Sequence, residues 1–400
     1  MTHSEPAPAT LPLEGVTVVS LEHAIAAPLA TRHLADIGAR VIKVERPGVG
    51  DFARAYDHRV AGLASHFVWV NRSKESLTLD LKQPAAQEIL HALLGQADVL
   101  VQNLAPGAAA RLGLSYEALS HTLPKLIVCD ISGYGDGGPY THKKAYDLLI
   151  QSESGFLSIT GTPGEQVKAG ISIADISAGM YAYSNILAAL IERGRTGRGR
   201  RIEIAMIDSM VEWMGFPMYY AYDGQEPPPR SGAAHATIYP YGPFRAGDGR
   251  TVMLGLQNER EWAVFCERVL GDAPIASDER FRSNALRTAN RDAVRALIEE
   301  RFAALTADEV IARLDAADIA NAHVSTMNDL WTHPQLAARS RWTRVESPAG
   351  PLPALQPPGF GADHPAQMGP VPALGAHTEA ILAELGFGER IATLREGKVI

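Results

Sequence analysis

One carboxylate stands where the sequence predicts the start of a long helix. Asp175 follows an apolar stretch and precedes a run rich in Ala and Leu, which predicts a helix over residues 175–193. A carboxylate at such a position accepts backbone N–H bonds and faces the positive end of the helix. Both interactions favour the ionised form, the form that acts as a nucleophile. The residues alone leave two interpretations open: a plain helix cap and a nucleophile.

Further polar residues follow predicted strands and a glycine-rich loop. Tyr146 and Asp147 come after the glycine-rich segment 133–139, and Arg46 and Arg111 follow strand patterns. Ligands bind at the carboxyl ends of the strands in open α/β sheets. Arginine suits phosphate because its guanidinium forms two parallel hydrogen bonds. Ordinary surface residues are the alternative interpretation at each position.

The elements that must position these residues alternate between strand and helix along the first half of the chain. Strand patterns cover residues 16–21, 40–45, 77–80, 99–101, 126–132 and 201–205, and helix patterns cover 28–37, 84–94, 175–193 and a segment from about 207. This alternation predicts an α/β fold with a parallel sheet. A Pro- and Gly-rich segment over 223–232 precedes a second, smaller domain. Its patterns are a hairpin over 244–256 and helices over 259–270, 291–304 and 307–316.

Composition excludes several classes of function. The chain has 400 residues and a net charge of −8, which argues against nucleic acid or an anionic membrane as the main partner. Two cysteines exclude a disulfide framework and indicate a reducing compartment. No signal-peptide pattern and no spanning apolar run is present, so we expect a cytoplasmic protein. The dinucleotide and P-loop glycine motifs are absent, and no histidine spacing indicates a metal site.

A series of motifs in one order makes the chain similar to a known family. It resembles the class III CoA-transferases, which include formyl-CoA:oxalate and carnitine CoA-transferases. The resemblance rests on segments 13–28, 34–51, 70–82, 98–114, 131–139, 144–147, 174–182 and 195–208. It implies that Asp175 is the nucleophile. The positions that it implies contact CoA are Ile25, Ala26, Arg46, Val70, Asn103, Leu104, Arg111, Lys144, Tyr146 and Met206. The family commonly has Gln where this chain has Ile25.

The resemblance also implies a fold, an assembly and a reaction. The implied fold is a Rossmann-like large domain plus a smaller α+β domain, in two chains that thread through one another as an interlocked homodimer. We expect the large domain over 1–222, a linker and small domain over 223–325, and a C-terminal return to the large domain over 326–400. The implied reaction passes through an aspartyl anhydride and an aspartyl-CoA thioester. No cofactor is permanently bound, because the CoA thioester is a substrate.

The region expected to cover the substrate is less glycine-rich than in formyl-CoA transferases. Segment 230–242 has two glycines and carries His235, Tyr239 and Tyr241 as substrate-lid candidates. A bulkier lid fits a larger acyl group. His235, Arg54 and Arg59 are candidates to bind a second carboxylate. The sequence therefore favours a small dicarboxylate such as succinate, mesaconate, itaconate or citramalate.

Two other functions stay open at this point. The related α-methylacyl-CoA racemases use a His in a GHD triplet, but the matching triplet here is Ala145-Tyr146-Asp147. A tyrosine with a pKa near 10 is a poor base at neutral pH, which disfavours the racemase. The third interpretation is a CoA-binding protein without catalytic activity.

Overall fold

The computed structural model describes residues 11–400, which fall into two compact units. The first holds residues 11–154, Gly170–Trp213 and Pro334–Ile400, and the second holds Gly155–Ala169 and Met214–His333. The second unit thus begins and ends at other residues than the domain predicted over 223–325. It also takes in Gly155–Ala169, a segment that the sequence pattern left in the first domain.

The elements are as follows. The strands are β1 (Thr17–Leu21), β2 (Arg40–Glu45), β3 (Lys74–Thr78), β4 (Val99–Gln102), β5 (Ile127–Ser132), β6 (Gly161–Thr162), β7 (Glu165–Gln166), β8 (Arg201–Ala205), β9 (Tyr241–Arg245), β10 (Thr251–Gly255), β11 (Ala320–His323), β12 (Trp342–Val345) and β13 (Leu352–Leu355). The helices are α1 (Ala26–Asp36), α2 (Ser65–Asn71), α3 (Pro84–Leu94), α4 (Ala108–Arg111), α5 (Tyr116–Ser120), α6 (Asp147–Glu153), α7 (Phe156–Ile159), α8 (Ile173–Thr196), α9 (Met206–Trp213), α10 (Gly215–Tyr220), α11 (Glu259–Val264), α12 (Asn284–Ala289), α13 (Arg291–Phe302), α14 (Ala307–Ala316), α15 (Pro334–Ala338), α16 (Thr378–Glu384) and α17 (Ile391–Glu396).

A six-stranded sheet forms the centre of the first unit. Its order is β3-β2-β1-β4-β5-β8, and every neighbouring pair is parallel, which confirms the predicted α/β fold with a parallel sheet. Val19 of β1 lies opposite Ile42 on one side and Leu100 on the other. The strand order reverses between β1 and β4, and such a switch point is where open α/β sheets bind ligands.

The edge strand β3 begins earlier than the sequence predicts. The predicted strand covered 77–80, whereas β3 starts at Lys74, because Lys74 and Ser76 are buried polar residues that an apolar pattern does not detect. The C-terminal segment covers this edge. The Ser76 amide donates to Nδ1 of His377, and the His377 amide donates to the Ser76 carbonyl. Covering an edge strand in this way blocks pairing with other chains.

Helix α8 packs against α1 at a glycine. A Cβ built on Gly179 would lie 2.7 Å from the carbonyl oxygen of Ala26, so the two helices approach too closely for a larger residue. α8 runs from Ile173 to Thr196 and is followed by Gly197, whose φ of 71° fits a glycine helix terminus. Asp175 is therefore the third residue of α8, one turn before the contact with α1.

The second unit is built around the antiparallel sheet β11-β10-β9. β9 and β10 form the predicted hairpin, with Gly249 at a φ of 82° in its turn. Phe244, Trp262 and Phe302 are buried in its core. Arg230 donates to the carbonyls of Ser158, Thr162 and Pro163, and so ties the segment before β9 to the β6–β7 hairpin. Among residues 11–400, no helix is long and apolar enough to cross a membrane.

Two glycines of α8 give a matched stability test. Gly194→Ala places a methyl group in open space, and we expect it to raise the thermal midpoint, since Ala favours a helix over Gly by about 0.5–1 kcal/mol. Gly179→Ala meets the Ala26 carbonyl, and we expect a loss of about 1–3 kcal/mol. Calorimetric melting of both variants checks this. A Gly179→Ala protein as stable as Gly194→Ala would show that the helices are not in close contact.

Candidate functional site

The start of α8 is capped by a side chain from another helix. Oδ1 of Asp147, the first residue of α6, accepts the Ala174 N–H at 2.8 Å. Ser172, at the N-cap position itself, makes no capping bond through its side chain. No donor within residues 11–400 bonds to the half-buried Asp175 carboxylate. The interpretation of Asp175 as a plain cap is therefore wrong, because Asp147 performs that role.

The environment of Asp175 disfavours its charge. Burial and, secondly, the neighbouring Asp147 carboxylate raise the pKa of Asp175 to about 7. The prediction that the helix start favours the ionised form is therefore wrong in direction. The N–H of Ala174 is used by Asp147, which brings a like charge close to Asp175. At neutral pH the Asp175 carboxyl is thus divided between protonated and ionised forms.

A second glycine contact brings Asp147 to this place. A Cβ built on Gly133 would lie 2.1 Å from the Cβ of Ala145, so the chain before α6 passes close to the end of β5 only because residue 133 is glycine. The predicted glycine-rich loop and the Tyr146-Asp147 pair therefore meet at the carboxyl end of the sheet. Tyr146 is exposed there, at the N-cap position of α6.

An aromatic group near Asp175 was missed by the sequence analysis. Burial, followed by the charges of Asp51, Asp175 and Tyr146, raises the pKa of Tyr56. The Tyr56 ring lies 5.7 Å from Phe52, and both rings are exposed. The clue in the sequence was the dense run of aromatic and histidine residues over 52–69.

Asn103 joins the two loops at the switch point of the sheet. Its Oδ1 accepts the His23 N–H at 2.9 Å, and its Nδ2 donates to the His23 carbonyl at 2.9 Å. The loop after β1 is thereby fixed to the end of β4. This loop leads into Ile25 and Ala26 at the start of α1, the helix that contacts α8.

Comparison with known proteins shows the family of this chain. The model of CoA-transferase family III matches residues 13–378. The chain belongs to this family. It is similar to the succinate–glutarate CoA-transferase of Agrobacterium fabrum (35% identity, 96% of this chain and 98% of that protein). It is also similar to the succinyl-CoA:glutarate CoA-transferase of mouse (33% identity, 94% and 86%). A solved CaiB/BaiF family protein from Brucella suis has the same fold, with a TM-score of 0.84 at 35% identity over 94% of this chain and 100% of that one.

The residues predicted to contact CoA in this transferase fall into two groups. Arg46, Arg111, Lys144 and Tyr146 are exposed, and Asn103 and Leu104 are half-buried. The side chains of Ile25, Ala26, Val70 and Met206 are buried. At those four positions a contact with CoA requires backbone atoms or a movement of the chain.

Arg46 lines a cavity that contains cations the sequence did not indicate. The cavity, of about 460 Å³, lies where β2 and β3 end and is also lined by Lys82, Arg395 and Lys398. Asp80 is the acidic side chain in its lining. Two of the cations belong to the C-terminal segment, which sequence reasoning could not place beside Arg46. The excess of positive charge makes this cavity attractive to phosphate groups.

Two predicted substrate residues are in the wrong place for that role. Arg54 is fully engaged, because it forms a two-point salt bridge with Glu45 and stacks on Phe67 at 3.7 Å. Tyr239 is 1% exposed in the core of the second unit, where it packs on Phe244, and so cannot be part of a lid surface. Tyr239 stands two residues before β9, and its side chain belongs to the same buried cluster as Phe244 of that strand.

The other two lid candidates are stacked on each other. The His235 and Tyr241 rings are nearly parallel, with centroids 5.4 Å apart. Nδ1 of His235 accepts hydrogen bonds from the amide N–H groups of Thr237 and Ile238, so the neutral ring carries its proton on Nε2.

Arg59, the remaining candidate for binding a second carboxylate, lies in the first unit and is exposed. No acidic side chain within residues 11–400 pairs with its guanidinium.

The pKa of Asp175 predicts a pH profile. A reaction that uses the ionised carboxylate of Asp175 should accelerate as the pH rises through about 7. In Asp147→Asn the capping oxygen remains but the charge is lost, so the midpoint should move to lower pH by about one pH unit. Single-turnover rates from pH 5 to 9 measure both.

Glu153→Gln is the matched control for this profile. Glu153 ends the same helix as Asp147 but pairs with Lys143, so removing its charge should leave the midpoint unchanged. A wild-type midpoint near pH 4, or the same midpoint in Asp147→Asn, would contradict the assigned environment of Asp175.

Proposed function

We propose that this transferase moves CoA from an acyl-CoA thioester to a small dicarboxylic acid, with Asp175 as the covalent nucleophile. The observation that carries the proposal is the unbonded carboxylate at the start of α8, whose pKa of about 7 is close to neutral pH. Similar proteins that are named for glutarate and succinate support a dicarboxylate substrate.

The covalent steps exchange one acyl bond for another. An oxygen of Asp175 attacks the donor thioester carbonyl, the C–S bond breaks, and an aspartyl anhydride and CoA thiolate form. The thiolate attacks the aspartyl carbonyl, which releases the donor acid and leaves CoA as a thioester on Asp175. The acceptor carboxylate attacks this thioester, and the thiolate then attacks the acceptor carbonyl. Asp175 is regenerated, with no water, metal or oxidant consumed.

The carboxylate of Asp147, next to Asp175, takes no part in the covalent steps. Both oxygens of Asp147 accept hydrogen bonds, from the Ala174 amide at 2.8 Å and from Nε2 of Gln151 at 2.7 Å. Asp147 therefore orients α8 and raises the pKa of Asp175, while Asp175 reacts. Arg46 and Lys144 are proposed to hold the phosphate groups of CoA, because both are exposed cations beyond strand ends.

The assembly and location are proposed on the resemblance and the composition. We propose an interlocked homodimer in the cytoplasm that holds no permanently bound cofactor. Light scattering on the purified chain tests the dimer, and a monomeric mass for active enzyme would reject it.

Replacement of the nucleophile tests the proposed mechanism. Asp175→Asn keeps the shape of the side chain and should lower transfer by at least about a thousandfold. CoA affinity should change less than threefold or so, since the lost group acts in the covalent step. Wild-type enzyme mixed with acyl-CoA should carry an acyl or CoA adduct on the peptide containing residue 175, detected by mass spectrometry.

The alternative functions predict different experimental results. Exchange of the α-hydrogen with deuterium from solvent, without an acceptor acid, would indicate a racemase. A wild-type protein that binds CoA and forms no adduct would indicate a binding protein. Unchanged transfer by Asp175→Asn would reject Asp175 as the nucleophile.

Arg59 is the proposed partner of the second carboxylate, since its guanidinium is exposed and unpaired within residues 11–400. Arg59→Gln should raise KM for a dicarboxylic acceptor about tenfold or more, the value of one charge-assisted hydrogen bond. KM for a monocarboxylic acid of equal length should stay the same. Arg198→Gln, another exposed arginine, is the control. Equal effects of Arg59→Gln on both acids would contradict this role.

A further inference from the structure

Four charged side chains are buried together beneath the loop after β1. This buried charge cluster consists of Glu22, Lys43, Asp51 and Lys74, each no more than 2% exposed. Lys43 bonds to Asp51 at 2.7 Å and approaches Glu22 at 3.4 Å, and Lys74 bonds to Glu22 at 2.7 Å. The cluster holds two acids and two bases, and burial lowers the pKa of Lys74 to about 7. Such clusters carry a large desolvation penalty, and apolar residues of similar size are often as stable or more so.

Asp51 performs a role that an apolar residue could not. Its Oδ1 accepts the N–H of Ala24 at 3.2 Å and the N–H of Ala53 at 2.9 Å, while Oδ2 bonds to Lys43. Burial opposes ionisation, but Lys43, His23 and the hydrogen bond from the Ala53 amide hold the pKa of Asp51 below its usual value. One carboxylate thus joins the loop after β1 to the helical turn Phe52–Ala55.

Both joined segments approach Asp175. The loop after β1 runs into Ala26, whose carbonyl contacts Gly179 one turn along α8 from Asp175. The Phe52–Ala55 turn lies against this loop, since the Phe52 ring stacks on His23 with centroids 5.2 Å apart, and it leads into Tyr56, whose ring lies 5.7 Å from Phe52. The Asp175 charge is one cause of the raised pKa of Tyr56, after burial and Asp51. The loop is also strained, since Ala24 has a φ of 62°, a conformation that costs a non-glycine residue energy and persists only where neighbours enforce it.

We propose that Asp51, neutralised by Lys43, is a positioning residue for CoA transfer, which fixes the loop after β1 and the Tyr56 segment beside the nucleophile. The proposal rests on the proposed role of Asp175. Asp51 acts through the backbone geometry of these two segments and does not contact the substrate.

Two double variants separate positioning from charge and stability. Lys43→Met with Asp51→Asn removes both charges and keeps an oxygen toward Ala24 and Ala53. Lys43→Met with Asp51→Leu has the same net charge and side-chain shape but no acceptor. We expect the leucine variant to have a kcat at least about tenfold below the asparagine variant, with KM for acyl-CoA within about threefold. If the leucine variant does not fold, Lys43→Met with Asp51→Ala replaces it.

Arg72→Met is the control for a merely structural role. Arg72 forms a buried two-point salt bridge with Asp36 at the other end of α1, so its loss should lower the thermal midpoint and leave kcat unchanged. A second readout is independent of transfer: peptides covering residues 22–26 and 52–56 should exchange hydrogen faster in the leucine variant than in the asparagine variant.

The outcomes are distinct. Equal kcat and equal exchange in the two double variants would overturn the positioning role, as would a loss of kcat in Arg72→Met that matches the leucine variant. A wild-type enzyme that transfers CoA without an adduct on residue 175 would reject the proposed nucleophile, and the exchange comparison would still decide whether Asp51 orders the two segments.

Discussion

Burial of Asp175 and the hydrogen bond between the Ala174 amide and the Asp147 carboxylate together set the chemical character of the Asp175 carboxyl. A helix start must satisfy its free N–H groups. Here a side chain from α6 does so at 2.8 Å, and the carboxylate of α8 itself is left without a donor. Burial and, secondly, the negative charge that this contact brings close to Asp175 raise the pKa of Asp175 to about 7. A carboxyl group of that pKa is a stronger base than an ordinary aspartate, and it is ionised often enough at neutral pH to react.

That arrangement depends on two close approaches of the backbone and on one buried carboxylate. Gly133 lets the chain before α6 pass the end of β5, and Gly179 lets α8 lie against the start of α1. Asp51 holds the loop after β1 and the turn that leads to Tyr56. None of these contacts involves a substrate. They place groups from four separate stretches of sequence at the carboxyl end of one parallel sheet, which is where this topology leaves an open crevice.

Much of the fold could be predicted because apolar periodicity is local. The bounds of β2, α3, β8 and α14 agree with their sequence patterns, since each has clear start and stop residues. β3 was misplaced because Lys74 is buried by Glu22, a partner 52 residues away. A local sequence pattern does not report hydrogen-bond partners that are so far apart along the chain.

The same limit applies to the site. Asp175 itself was recognised from the motif around it, but the direction of its pKa depends on burial and on Asp147, which no local pattern reports. Arg54 looked available in the sequence, yet it is paired with Glu45 and stacked on Phe67. Tyr239 looked like a lid residue and lies in a core instead. Residue types predict what chemistry is available, while long-range contacts decide which groups are free to perform it.

Direct titration of the Asp175 carboxyl tests the central claim most closely. Infrared difference spectra of wild type against Asp175→Asn, recorded from pH 4 to 9 without substrate, isolate the carboxylate bands of this one group. The account predicts a band that appears with a midpoint near pH 7 and shifts to lower pH in Asp147→Asn. A carboxylate fully ionised by pH 5 in the wild-type enzyme would contradict it.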